Sequence, residues 1–291
     1  MIRLIICILL FSLSAPLKIR AQQLYFNHLS VNNGLSQGVN NCVYRDSKGF
    51  VWISSYDGLN RFDGVNCVNF RSSIFETGGL KGTYILNILE DKNANLWIGS
   101  NAGLNFYNRR LDRFQNFRIE DPKTDKQFYS PFYIDDKNNI WLEINSLIAV
   151  FNPDNQTFHF TDTVTRCGKL IIKAFPAQLY MPLEKIVASS DMASVIWEGE
   201  VTGEKVNWHS THLPIPSVQI TAILPTGKNN LWIGSRNGLY RLINNRLNMH
   251  IQRFGDIKLA NITTMHLDQK GTLWAGTIHQ GLVCMMTALV N

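Results

Sequence analysis

The chain has 291 residues, 45 % of them apolar and 11 % aromatic, which is enough for a sizeable core and too apolar for a disordered chain. Its formal charge is +6, but Arg3, Lys18 and Arg20 fall in the first twenty residues, and beyond them 25 basic residues face 22 acidic ones. No basic run or basic–aromatic stripe occurs, so the composition argues against a nucleic-acid partner.

The first element is a leader. MIRLIICILLFSLSAPLKIRAQQ begins with a basic residue, continues with an apolar run over residues 4–13 and reaches a small residue at Ala21. That run is too short to span a bilayer and fits the core of a secretory signal peptide, so the expected organisation is a signal peptide at 1–21 and one domain at 22–291. No later stretch is long and apolar enough for a second span, so no membrane span is expected after cleavage. The expected location is the periplasm. An exported chain can form disulfides. Cys42, Cys67, Cys167 and Cys284 match no metal spacing, and both free thiols and a Cys42–Cys67 bridge stay open.

Next comes a repeat. ANLWIGSNAGL at 94–104 returns as NNLWIGSRNGL at 229–239. Aligned on tryptophan, further copies surround Trp52, Trp141 and Trp274, and the successive gaps from Trp52 through Trp97, Trp141 and Trp232 to Trp274 are 45, 44, 91 and 42 residues. The long gap holds a worn copy, EKIVASSDMASVIWEG, with Val187 in the tryptophan register.

Each copy predicts the same parts in order. A strand with alternating apolar residues, such as YILNILED (84–91), leads into a tight turn such as DSKG (46–49). The LWIG strand follows, then a turn ending in glycine at Gly58, Gly103, Gly238 or Gly281, then a third strand. Outer strands such as VNCVNF (65–70) and RFQNFR (113–118) complete the unit. Four short antiparallel strands per period of this length predict an all-β propeller. The expected blades cover 31–71, 80–118, 127–160, 168–212, 217–254 and 260–286. The tryptophan should pack between neighbouring sheets, and the glycine two residues later should leave room for the next blade. After the last copy the chain has no length for an outer strand, and LYFNHLS (24–30) could serve as that fourth strand and close the ring. The other arrangement is an incomplete propeller that lacks a blade.

The block LYFNHLSVNNGLSQGVNNCVYRDSKGFVWISSYDGLNRFDG (24–64) resembles the opening of the periplasmic sensor region of Bacteroidetes-type hybrid two-component system histidine kinases. The LWIG-S-x-x-GL copies resemble the two-component regulator propeller repeat. The resemblance implies a propeller that reads a ligand, often a glycan fragment, for a cytoplasmic kinase. It also implies seven blades per propeller and further domains downstream. Six copies and none of those domains are visible, so the expected role is a truncated sensor or a stand-alone binding propeller, with downstream sensor domains or a full-length sensor as its protein partner.

No catalytic constellation or cofactor motif is present, and no metal site is expected: His209 and His212 have near-zinc spacing but no second pair. A binding face is easier to place. In a propeller the turns between second and third strands share one rim, and here they read SSYDG (54–58), SNAG (100–103), SRNG (235–238) and TIHQG (277–281). They offer Tyr56, Asp57, Asn101, Arg236, Asn237, His279 and Gln280, an aromatic with amides, a guanidinium and a carboxylate, a set that suits sugar hydroxyls or an acidic sugar. The expected function is non-catalytic sensing of a carbohydrate or other small polar ligand. A propeller lyase or hydrolase and a protein-interaction scaffold are the alternatives.

Overall fold

The computed structural model describes residues 29–73, 77–119, 127–145, 147–161, 171–175, 185–189, 195–203, 205–227 and 230–286. The leader and residues 24–28 of the expected closing strand lie outside them. Residues 29 and 30 are in no strand, and Ser30 caps a 3-10 turn at Val31–Asn33.

The described residues fold as an all-β propeller of sequential antiparallel sheets. Sheet I holds β1 (Asn40–Arg45), β2 (Val51–Ser55), β3 (Gly58–Phe62) and β4 (Cys67–Phe70). Sheet II holds β5 (Ile85–Glu90), β6 (Leu96–Ser100), β7 (Gly103–Asn108) and β8 (Arg113–Phe117). Sheet III holds β9 (Tyr129–Ile134), β10 (Ile140–Ile144), β11 (Leu147–Asn152) and β12 (Thr157–Phe160). Sheet IV, over the worn copy, holds β13 (Ile171–Phe175), β14 (Lys185–Ser189), β15 (Val195–Thr202) and β16 (Lys205–His212). Sheet V holds β17 (Ile220–Gly227), β18 (Asn230–Ser235), β19 (Gly238–Ile243) and β20 (Arg246–Ile251). A two-stranded ribbon, β21 (Arg253–Phe254) with β22 (Ile257–Lys258), leads to a terminal sheet of β23 (Ile262–Leu267), β24 (Thr272–Thr277) and β25 (Gly281–Met286).

Six complete blades are therefore not what forms. Five sheets have four strands and the terminal one has three, because no described segment pairs with the outer edge of β25. The first strands line up around the axis, β1 against β5, β5 against β9, β9 against β13, β13 against β17 and β17 against β23. Between β23 and β1 there is no comparable contact among the described residues.

One aspartate organises each of three inner turns. In sheet I, Asp46 Oδ1 accepts hydrogen bonds from the Lys48 and Phe50 amides, both at 2.9 Å, and Oδ2 accepts one from Trp52 Nε1 at 2.7 Å. Asp135 does the same for Trp141 and Asp268 for Trp274, at 3.1 and 3.0 Å. The Asp-x5-Trp spacing thus fixes both the turn and the indole, a link the repeat pattern contained but the sequence reading did not extract. Trp97 departs from it: Asp91 Oδ2 accepts a hydrogen bond from Asn95 Nδ2 instead, and the buried Trp97 N–H has no partner among the described residues.

The core lies between sheets. Trp52 packs with Leu80 of the lead-in and with Ile88, Leu96 and Tyr107 of sheet II, and Trp97 with Tyr129, Leu142 and Phe151 of sheet III. Trp141 packs with Val206 and Trp208 of sheet IV, and Trp232 with Ile262, Leu273 and Met285 of the terminal sheet. Each of these four tryptophans is thus covered by the sheet that follows it. The glycine two residues later has its expected use: a Cβ on Gly99 would lie 2.0 Å from the Tyr129 carbonyl oxygen, and one on Gly234 2.6 Å from Ile262 Cγ2, both in the following sheet. Cys42, Cys67 and Cys284 form no disulfide among the described residues, and Cys167 lies outside them.

Candidate functional site

The rim is built by the turns after β2, β6, β18 and β24 together with the segment that leads into each first strand. Every such turn is closed by a hydroxyl at the strand's last residue. Ser55, Ser100, Ser235 and Thr277 donate to the carbonyls of Gly58, Gly103, Gly238 and Gly281, at 3.1, 2.9, 3.0 and 3.0 Å. The same oxygens accept the amides of Asp57, Ala102, Asn237 and Gln280, so the residues between hydroxyl and glycine are pushed outward.

The lead-in segments are pinned by buried asparagines of the third strands. Asn60 Oδ1 accepts the Ser36 amide at 2.8 Å while its Nδ2 donates to the Ile53 carbonyl at 2.9 Å. Asn105 Oδ1 accepts the Lys81 amide and its Nδ2 donates to the Lys81 carbonyl, both at 3.0 Å. Neither side chain could be buried unpaired without large cost, so each holds its lead-in in one place.

On this frame the seven expected residues fall into two groups. Tyr56 is exposed in the sheet I turn, its ring 4.7 Å from that of Tyr84, which lies 6.0 Å from Phe128 in an edge-on arrangement. Asp57, beside Tyr56, is paired with Arg71 at 3.0 Å. Asn101 is committed to the scaffold: its Oδ1 accepts the Thr83 and Tyr84 amides at 3.1 and 3.2 Å, and among the described residues its NH2 is left to face a ligand or water. Arg236 and Asn237 are exposed in the sheet V turn, and the Arg236 carbonyl accepts the Asn261 amide of the lead-in to the terminal sheet. His279 and Gln280 project from the terminal turn, whose Ile278 amide donates to the Asn261 carbonyl.

Tyr84 and Phe128 were missed by the sequence reading. Both stand thirteen residues before their tryptophan, in the lead-in, but that register holds Val39, Gln219 and Asn261 in other copies, so the repeat carried no signal for them. With Tyr56 they form an aromatic arc across sheets I, II and III. Burial first, and the neighbouring Tyr56 phenol second, push the Tyr84 hydroxyl above its ordinary pKa, so it stays a neutral donor and acceptor at any physiological pH. His209 Nε2 sits 3.2 Å from Glu198 Oε2, and among the described residues no three His, Cys, Asp or Glu side chains converge.

With this geometry in hand, comparison with known families gives a match to the two-component regulator propeller at residues 34–57 and 214–237. Each matched segment runs from lead-in through the signature tryptophan to the rim turn. The chain carries the two-component regulator propeller repeat. No curated protein matches it in sequence. Among solved structures it is similar to an extracellular domain from B. thetaiotaomicron assigned to a hybrid two-component system, at 16 % identity and TM-score 0.54, over 89 % of this chain and 39 % of that one. It is also similar to virginiamycin B lyase from Staphylococcus aureus, at 15 % identity and TM-score 0.62, over 84 % of this chain and 78 % of that one. PorZ, a surface component of the type-IX secretion system of Porphyromonas gingivalis, matches at 15 % identity and TM-score 0.59, over 85 % and 38 %. At such identities the likeness is one of fold. The chain spans about two fifths of the length of the sensor domain it matches.

Proposed function

We propose that this chain is a ligand-reading propeller of the two-component sensor type, exported by residues 1–21 to the periplasm and non-catalytic. Its ligand class is a carbohydrate or another small polar molecule. The observation that carries the reading is the arc Tyr56–Tyr84–Phe128, which presents aromatic faces across three sheets beside the Asp57–Arg71 pair. Aromatic faces stack on the C–H faces of sugar rings, and the flanking amide, carboxylate and guanidinium match ring hydroxyls. The two-component regulator repeat supports a partner that transmits the signal, either further sensor domains or a full-length sensor.

A thermal-shift screen of glycan fragments against residues 22–291 tests this. A ligand at one hundred times its Kd should stabilise the fold by about 2.7 kcal/mol. Tyr56→Ala combined with Tyr84→Ala should remove that shift while ligand-free Tm stays within a few degrees, because Tyr56 is exposed and Tyr84 is only half-buried at the rim. An unchanged shift in the double variant means the ligand binds elsewhere. If that happens, Arg236→Ala with His279→Ala tests the second group in the same way.

A further inference from the structure

Charge is unevenly spread along the chain. Residues 205–267, which run from β16 to β23, carry seven basic residues and one acidic, Asp256. Beyond the leader, the rest of the chain carries 18 basic and 21 acidic residues. Three of the seven cations stand exposed together where sheet V meets the terminal sheet. Arg253 and Lys258 belong to the ribbon β21–β22, and the Arg236 carbonyl accepts the amide of Asn261 just past the ribbon's foot.

The ribbon is a rooted projection. Leu259 at its foot is buried with Trp232, Leu239 and Leu273, and its amide donates to the Gln252 carbonyl at 2.8 Å. Above that bond Arg253 pairs with Lys258 and Phe254 with Ile257, and Gly255, at φ of 58°, turns the chain between them. Side chains alternate along a strand, so Phe254 and Ile257 share one face and the two cations the other. Every residue from 252 to 258 is exposed. Phe254 and Ile257 keep 43 % and 41 % of their surface in water, and Ile278, whose amide is held by the Asn261 carbonyl, keeps 61 %.

We propose that the ribbon is a membrane-contact element for anionic phospholipid. It lies on its apolar face, with Phe254, Ile257 and Ile278 in the interfacial layer. Arg253 and Lys258 reach past that face on their long stems, and with Arg236 they meet the lipid phosphates. Charge complementarity selects the occupant: each basic group brought near an anionic leaflet adds to binding, and this stretch opposes its cations with one carboxylate only. The apolar pair selects it further. An acidic chain would satisfy the cations alone, whereas a bilayer offers charge and an apolar layer side by side. The proposal needs neither the aromatic arc nor its ligand, since the arc stands on sheets I to III.

Flotation with phosphatidylcholine vesicles, with and without phosphatidylglycerol, tests this. Residues 22–291 are used, because the apolar run at 4–13 would bind lipid by itself and every described element lies beyond it. Binding should require phosphatidylglycerol and weaken as salt is raised. Phe254→Ser with Ile257→Ser should weaken it about tenfold or more, and so should Arg253→Gln with Lys258→Gln. Asp256→Asn should tighten it about threefold by removing the one like charge. Val65→Ser, at a residue 83 % exposed between β3 and β4, should leave it unchanged. All of these side chains are exposed, so each variant should keep the parent's Tm within about 2 °C, and a loss of binding is then not a loss of fold. Equal binding to neutral vesicles overturns the proposal, as does binding that survives either double substitution or is lost in Asp256→Asn. If the apolar pair is dispensable and polyglutamate displaces the vesicles, the surface is a docking face for an acidic chain and the lipid assignment falls.

Discussion

Gly99→Ala lowers stability by about 3 kcal/mol, measured by urea unfolding, and it does so across a sheet boundary. The added methyl would sit 2.0 Å from the Tyr129 carbonyl oxygen and 2.4 Å from Pro131 Cδ. Both belong to β9, whose pairing with β10 leaves that backbone nowhere to retreat. Relief requires sheets II and III to part, which uncovers Trp97 and its neighbours Tyr129, Leu142 and Phe151. Gly49→Ala is the matched control. Gly49 has φ of 91° but open space around its Cβ direction, so only the left-handed backbone cost of about 1 kcal/mol applies. If the two variants lose the same amount, close approach is not what the glycine serves.

Arg109→Met lowers stability by about 3 kcal/mol at neutral pH, the low end expected for breaking a buried ion pair because the arginine is 18 % exposed. Its Nη2 lies 2.7 Å from Asp46 Oδ2 and 3.7 Å from Glu90 Oε1, and its Nε donates to the Ala94 carbonyl at 2.7 Å. Glu90 also accepts the amide and hydroxyl of Ser47, so the cluster bolts the inner turn of sheet I to sheet II. Arg109→Lys should recover little, since one ammonium cannot reproduce the fork that serves a carboxylate and a carbonyl together.

Acid adds a second readout. Burial pushes Asp46 upward, but hydrogen bonds from Trp52 and Arg109 and the charge of Arg109 outweigh it, and the net result is a pKa below the ordinary 3.8. A depressed carboxylate contributes stability that is complete above its unfolded value and is lost as pH falls through the folded one. The gap between parent and Arg109→Met should therefore narrow below about pH 4. A gap that stays constant to pH 2 would mean that the charge pairing is not the source of the loss.

The repeat made the propeller legible because its signals are local. An aspartate, a tryptophan six residues on, a hydroxyl and a glycine each settle one turn or one strand, and they recur in register. The worn copy was still placed because spacing outlasts the tryptophan, and Val187 does lie on β14. Even the turn position read as glycine tolerates exchange: Ala94 and Asn138 adopt φ of 63° and 65° where Gly49 and Gly271 stand in other copies. The rim was legible only in part. Tyr56 announced itself as the odd residue of its turn, but its partners Tyr84 and Phe128 come from lead-ins of later copies, and no local pattern ties them together. Asn101 read as a free amide because the sequence does not tell that its oxygen holds the Tyr84 backbone. The strand count failed at β25 for the same reason, since a fourth strand is a long-range pairing.

The one-way cover of the signature indoles gives the molecule a grain. Loss of any sheet strips the shelter from the indole of its predecessor, while the successor surrenders only a mixed aliphatic and aromatic face that holds no signature indole. Limited proteolysis and amide exchange should accordingly spread from the carboxyl-terminal end backward, with Trp232 the next indole to meet solvent once β23–β25 detach.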